Sequence, residues 1–225
     1  MVTEKQYKAI VLDCDGVVFD VNQQKSEAFV KAVAQHPPEI ISAFIKRHKE
    51  TGGVSRYEKF RYFYTELCPS DDTEEAIEAA LVKYARIVKE AYRQILPHPS
   101  ALAFAKHFFG RLPVFIASGS DQEELRDVFR FHSISPMFQG VYGSPTVKQK
   151  NVEKILSDNN LVPEEVVFVG DGGGDYRVTF DLGMPFVYLG EMAEWKPSPT
   201  QVEDHPNINI FFSWRDVLEY FHVPA

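Results

Sequence analysis

Four short segments of this 225-residue chain place carboxylates, hydroxyls or a lysine directly after an apolar run or a turn. Asp13 and Asp15 close the run KAIVLDC, and Ser118 and Gly119 follow LPVFIA. Lys148 opens a helical pattern after the turn Tyr142-Gly143-Ser144-Pro145, and Asp171, with Asp175 beyond it, follows EVVFVG. Asp13 and Asp15 are two residues apart, so on an ideal strand both point to one face. Carboxylates that close repel unless one takes a proton or a cation neutralises them. Asp171 and Asp175 add to the local negative charge. Four carboxylates without histidine or cysteine form a hard, oxygen-only site, which suits Mg²⁺ rather than zinc, and Lys148 can hold part of the charge.

The elements that must position these groups are legible in the hydrophobic pattern. Short, β-branched, continuous apolar runs predict buried strands at 8–14, 112–117, 165–170, 185–189 and 207–212. Helical patterns at 98–109, 121–131, 148–160 and 214–222 alternate with them, the signature of a parallel α/β sheet. Ligands of such sheets gather outside the carboxyl ends of the strands, where the polar residues stand. The stretch 21–96 breaks the rhythm. It holds no convincing strand and reads as several helices interrupted at Pro37-Pro38, Thr51-Gly52-Gly53 and Pro69-Ser70-Asp71-Asp72. The expected organisation is an α/β Rossmann-like core formed by 1–20 and 97–225, with a helical cap at 21–96. That insert carries 12 basic and 11 acidic side chains in a protein of net charge −8. The count hints at an anionic ligand facing the insert, although ordinary solvated helix faces give the same balance.

Composition narrows the partners. The net charge of −8 works against nucleic acid and anionic membrane surfaces. Only Cys14 and Cys68 occur, so neither a disulfide framework nor a zinc spacing follows. No apolar run approaches the ~20 residues of a membrane span, and MVTEKQYKAI lacks the apolar stretch of a signal peptide. A soluble cytoplasmic protein is the expectation. Several other features read as structural. Gly172-Gly173-Gly174 lacks the lysine and frame of a phosphate loop, and the seven histidines have no ligand spacing. Cys14 is expected to point away from Asp13 and Asp15 into the core, Asp20 to cap a helix or serve in a linker, and Tyr57 to Tyr64 (YEKFRYFY) to build the interior of the insert.

Taken in order, Asp13-Cys14-Asp15-Gly16-Val17-Val18-Phe19-Asp20, Ala117-Ser118-Gly119-Ser120, Lys148, and Gly170-Asp171 with Asp175 resemble the motifs of the haloacid dehalogenase superfamily of phosphatases and phosphomutases. The insert is similar to the alpha-helical cap that one class of the superfamily carries between its first two motifs. The resemblance implies that Asp13 is a nucleophile forming an aspartyl phosphate. It makes Asp15 the acid and base for the leaving alcohol and the water. Ser118 and the Gly119 N–H would hold phosphoryl oxygens, with Lys148 neutralising charge. Mg²⁺ would bind Asp13, the backbone carbonyl of Asp15, and Asp171, with Asp175 as ligand or anchor.

Asp15 favours phosphoryl transfer over dehalogenation, because dehalogenases lack an aspartate at that offset. A phosphonate hydrolase needs a Schiff-base lysine, and nothing in the sequence marks Lys25, Lys46, Lys49 or Lys59 as desolvated. Gly53-Val54-Ser55-Arg56 is similar to the cap loop of beta-phosphoglucomutases, in which the arginine grips the non-reacting phosphate. Lys25, however, stands where those mutases carry a histidine. The expected activity is a Mg²⁺-dependent phosphatase acting on a small phosphorylated metabolite such as a sugar phosphate, with Arg56 binding the leaving group. A mutase or a non-catalytic binding protein on the same scaffold is the alternative, and the oligomeric state is left open.

Overall fold

The computed structural model describes residues 7–69, 72–202 and 204–224, so Ser70 and Asp71 of the expected interruption at Pro69–Asp72 lie outside the described residues. Six strands form one parallel sheet: β1 (Ala9–Leu12), β2 (Val114–Asp121), β3 (Gly140–Ser144), β4 (Val166–Gly170), β5 (Phe186–Leu189) and β6 (Ile208–Phe211), in the order β3-β2-β1-β4-β5-β6. β1 lies inside the sheet, and every residue of it is buried because both faces are covered. Ile10 and Leu12 face one hydrophobic layer, Ala9 and Val11 the other, as the two-residue strand period requires. Leu12 pairs with Ile116 of β2 and with Val169 of β4. That register brings the residues after all three strands to one edge.

The connecting helices are α5 (Pro99–Phe108), α6 (Gln122–Phe131), α7 (Lys148–Asp158), α8 (Gly173–Leu182), the short α9 (Pro199–Val202) and α10 (Trp214–Tyr220). Two of the sheet-layer elements depart from the sequence reading. β3 occupies the segment read as a turn: it is an edge strand with two glycines and only partial burial, so it carries no continuous apolar run. α8 opens on two glycines and was hidden by them. It is held by Asp175 at its third position, which accepts the Gly172 N–H at 2.9 Å, and it ends at Gly183 in the left-handed conformation.

Between β1 and α5 run α1 (Asn22–Ala32), α2 (Pro38–Glu50), α3 (Arg56–Tyr62), a π-helical turn at Phe63–Leu67, and the 22-residue α4 (Thr73–Gln94). Ser55 caps α3 by accepting the Glu58 N–H. Asp20 makes no cap; it is exposed in the link to α1, whose N-cap position is Val21. The insert has its own aromatic interior. Phe29 packs against Phe44, Phe60 and Tyr84 with ring centroids 5.6, 5.2 and 4.3 Å apart. Each such pair adds about 0.5–1.5 kcal/mol beyond the area it buries. Among the described residues no helix is long and apolar enough to cross a membrane.

Candidate active site

The floor of the site is the sheet edge. Asp13 follows β1 directly, and its Oδ1 accepts the Cys14 N–H at 2.7 Å while Lys148 Nζ stands 2.9 Å from Oδ2. Lys148, the first residue of α7, also pairs with Asp175 Oδ1. Asp171, just past β4, accepts from Asn22 Nδ2 at 2.8 Å. One carboxylate oxygen from each of Asp13, Asp171 and Asp175 falls within 4.8 Å of the others, and all three residues are buried. Burial, then the charges of Asp175 and Asp15, push Asp13 up to about 7 against the pull of Lys148. Asp171 is driven well above the carboxylate range by burial and by Asp13 and Asp175.

Ionised together, three buried carboxylates around one ammonium would leave two negative charges unbalanced, and an oxygen-only set of that charge fits a divalent cation such as Mg²⁺, whose charge would hold them ionised. Asp175 has both oxygens engaged, by Lys148 and by the Gly172 N–H. Asp13 is likewise engaged at both oxygens, by the Cys14 N–H and Lys148, and Asp171 at one, by Asn22; a carboxylate oxygen has a second lone pair, so all three residues still offer a ligand atom to an ion. Gly16 (φ +74°) passes so close to this floor that a Cβ on it would lie 1.9 Å from Asp171 Oδ2, so no side chain fits there.

Asp15 occupies a second environment two residues away. Its carboxylate accepts from Lys25 Nζ, from Tyr92 Oη, and from Ser120 Oγ at 2.7 Å. Burial alone would raise its pKa. The Lys25 charge and the bonds from Lys25, Tyr92 and Ser120 outweigh burial and hold Asp15 below the usual range. The Asp15 carboxylate therefore lies outside the group formed by Asp13, Asp171 and Asp175. Ser118 and Gly119 line the same cleft, and Ser118 Oγ accepts the Ser120 N–H at 3.1 Å.

The opposite wall comes from the insert. Lys25, His48, Lys49, Gly52, Gly53, Arg56 and Lys59 all line the cleft. The Thr51–Val54 loop rests on the core: the Gly174 N–H at the start of α8 donates to Gly52 O at 2.7 Å. A Cβ on Gly174 would stand 2.5 Å from that same oxygen, so the glycine run that was set aside as a phosphate loop is where the insert seats.

Arg56 is held in a way the sequence did not disclose. Its guanidinium does line the cleft, yet Nη1 and Nη2 are engaged by Glu124 of α6 at 2.8 and 2.6 Å, and its plane lies 4.7 Å from the Tyr84 ring. Two of its five N–H donors, and its charge, are thus taken by Glu124, while the side chain still lines the cleft. The sequence marks no insert lysine as desolvated, and the structure singles out one. Lys59 is buried, and burial, with Lys25 nearby, lowers its ammonium to about 7.

Sequence reasoning missed Asn22, Lys25, Ser120, Tyr92, His48, Lys59 and Glu194 as site residues. Asn22 and Lys25 carried a usable signal, standing two and five residues after the first motif, at the first and fourth positions of α1. Tyr92 and Glu194 carried none, since only the tertiary packing brings them near Asp15 and Ser26. Cys14 points into the core as expected and is fully buried.

A profile of haloacid dehalogenase-like hydrolases matches residues 7–178. No curated protein matches the sequence. Among solved structures, a hydrolase from Pseudomonas syringae superposes with a TM-score of 0.77 at 15% identity, covering 97% of this chain and 99% of its own. A predicted phosphoglycolate phosphatase from Haemophilus somnus gives 0.72 at 15% identity, over 97% and 100%. A haloacid dehalogenase-like family protein from Streptococcus pneumoniae gives 0.69 at 19%, over 96% and 99%. These likenesses are of fold. The profile spans most of the chain and includes the strand ends that carry the aspartates and Lys148, and the chain belongs to the haloacid dehalogenase-like hydrolase family.

Proposed function

We propose that this hydrolase is a Mg²⁺-dependent phosphatase that cleaves a small phosphate monoester through an aspartyl phosphate on Asp13. One observation carries the reading. Two carboxylates two residues apart sit in opposed environments: Asp13 among Lys148, Asp171 and Asp175, and Asp15 among Lys25, Ser120 and Tyr92. Groups so separated divide the work of nucleophile and proton carrier.

In this reading an Asp13 oxygen attacks phosphorus as the bond to the leaving oxygen breaks. Asp15, ionised in the free site, takes the proton that a phosphate monoanion brings on binding and hands it to the leaving oxygen. Asp15 then takes a proton from water, which attacks the aspartyl phosphate and frees Asp13 and inorganic phosphate. Ser118 Oγ and the Gly119 N–H hold phosphoryl oxygens, and Lys148 offsets the charge on Asp13 and on the phosphoryl group. Mg²⁺ held by Asp13 and Asp171, with Asp175 anchoring Lys148 and the α8 turn, supplies the remaining positive charge when bound. The helical insert serves as the cap over this site. A mutase turns a cationic side chain to a second phosphate, and the pairing of the Arg56 charge with Glu124 favours hydrolysis. Both cysteines are free, which suits the reducing cytoplasm.

The test is acid quenching during turnover of p-nitrophenyl phosphate with Mg²⁺. Hydrolysis should proceed, and a base-labile phosphoryl group should map to Asp13. Turnover with no phosphoenzyme, or a phosphoryl group on another residue, would overturn the assignment.

A further inference from the structure

Among the described residues, one cation of the cleft has neither a role in the proposed hydrolysis nor a carboxylate partner. Four cationic side chains of the insert line it, and three have carboxylate partners: Lys25 with Asp15, Arg56 with Glu124, and the half-exposed Lys49 with Glu194 at 4.0 Å. Lys59 has none within 4 Å among the described residues. It donates instead to His48, to Nδ1 at 2.7 Å and weakly to the backbone oxygen at 3.4 Å.

An ammonium can only donate, so Nδ1 must accept and the His48 proton sits on Nε2. Nε2 lies 2.9 Å from Ser26 Oγ, which lies 2.9 Å from a Glu194 oxygen. The chain thus runs one way, Lys59 to His48 to Ser26 to Glu194, and fixes the lysine head in place. His48 is neutral, held down to about 2 by burial and by Lys59 and Lys25. Lys59 is thus hydrogen-bonded to a neutral imidazole, with Lys25, Glu194, Asp15 and Glu58 acting on it from further off, and in its ammonium form it keeps one N–H for the cleft.

We infer that Lys59 recognises the leaving group of the substrate and that this group carries a carboxylate. The inference rests on the hydrolytic reading and names the substrate class within it. A single ammonium with one unused donor, its neighbour Arg56 already paired, matches one negative charge rather than the two of a second phosphate. A hydroxyl would satisfy the donor but leave the charge unbalanced. The free volume of the cleft is about 60 Å³, room for only a few water-sized groups, so the leaving group is small. An arriving carboxylate also returns to Lys59 the charge that burial weakens.

The experiment compares isosteric esters with Mg²⁺: the O-phospho derivatives of glycolate and of lactate, each against its own amide, with p-nitrophenyl phosphate as the test of hydrolysis itself. The wild-type protein should prefer each acid to its amide in kcat/KM by about tenfold or more, the worth of one charge-assisted bond. Lys59→Met should bring that ratio close to one, and Lys59→Arg should retain part of it. Equal rates on acid and amide in the wild type would overturn the inference whether or not the variants fold, as would a ratio unmoved by Lys59→Met. Borohydride-trapped adducts of Lys59 with an aldehyde-bearing ester would overturn it too, by assigning the amine to covalent chemistry. If no ester is hydrolysed, the phosphatase reading fails on its own. Calorimetric titration of phosphoglycolate and its amide into the Mg²⁺-loaded protein then decides Lys59: a preference for the acid sustains it and equal binding sinks it.

Discussion

The two walls of the cleft carry opposite imbalances. On the core side, three buried carboxylates share one lysine and leave negative charge over. On the insert side, Lys59 is a buried cation without an acidic partner among the described residues. Each wall alone is costly, because a buried charge without a partner loses its hydration and gains nothing in return. Together they are complementary to a ligand that brings a cation to one side and an anion to the other, as a phosphate ester carrying a carboxylate does with its metal. The floor is built from residues at strand ends, so its geometry is fixed by sheet register. The insert wall is built from helix faces and a loop that touches the core through a few contacts, so its geometry depends on seating.

If that contrast is right, the largest losses belong to the floor. Asp13→Asn should lower p-nitrophenyl phosphate turnover by about 10⁴-fold or more, the scale seen when a nucleophile is removed. Exhaustive chelation should abolish turnover, and added Mg²⁺ should restore it. Asp15→Asn should cost about 10²–10⁴-fold, since it removes proton transfer and leaves the attacking group. The chelated Asp13→Asn protein should also melt higher than the chelated wild type, because one of three mutually repelling carboxylates is gone. A lower melting temperature in that comparison would mean that Lys148 balances the floor without a cation.

The same contrast explains what the sequence disclosed. Four of the six strands were readable because a strand buried on both faces leaves an unbroken apolar run; β6 was read from its apolar residues too, but it is an edge strand with none of its residues buried, not the buried strand expected at 207–212. β3 was not, since an edge strand written Gly-Val-Tyr-Gly-Ser looks like a turn, and α8 was not, since two leading glycines mask a helix whose start is set by Asp175. On the insert side the residue types were visible but their partners were not. Arg56 was singled out from a loop pattern, yet Glu124 lies 68 positions away and no spacing rule connects them. Lys59 stands in a run whose aromatic side chains announce only a core, and its burial follows from the packing of that run against α1 and α4.

Arg56 gives the second way to sharpen the comparison. If it ties the insert to the core, Arg56→Ala should lower kcat/KM for every ester by a similar factor, about tenfold, p-nitrophenyl phosphate included. The paired charge is almost wholly buried on the arginine side and partly exposed on the Glu124 side, so the cost in stability should be about 2–3 kcal/mol, below that of a fully buried pair. Gly174→Ala tests the same seating from the other side, since its Cβ would meet Gly52 O at 2.5 Å. It too should raise KM for all substrates alike. Losses confined to esters with a second anionic group would return Arg56 to the role of substrate ligand.

The smallest effect is thermodynamic and concerns Lys59 alone. Its ammonium is held at about 7 by burial, with Lys25 lowering it further and Glu194, Asp15 and Glu58 pulling the other way. In the unfolded chain a lysine titrates near 10.4. Between those two values the unfolded state binds more protons than the folded state, so this lysine makes stability rise with pH. Below about 7 both states are charged and the penalty for burying the ammonium is complete; above about 10.4 both are neutral and the penalty is gone. His48, which Lys59 faces, stays neutral throughout this window because its own value lies at about 2. Lys59→Met carries no such term. From pH 7 to pH 10 the stability of the wild type relative to Lys59→Met should therefore climb by about 3 kcal/mol, whatever the two proteins' difference at pH 7. That offset depends on the His48 acceptor left unpaired in the variant, whereas the slope does not. Paired urea titrations at the two pH values read the slope directly, and parallel profiles would mean that Lys59 keeps an ordinary lysine's charge and hydration, and that the insert wall holds no unbalanced cation to answer the floor.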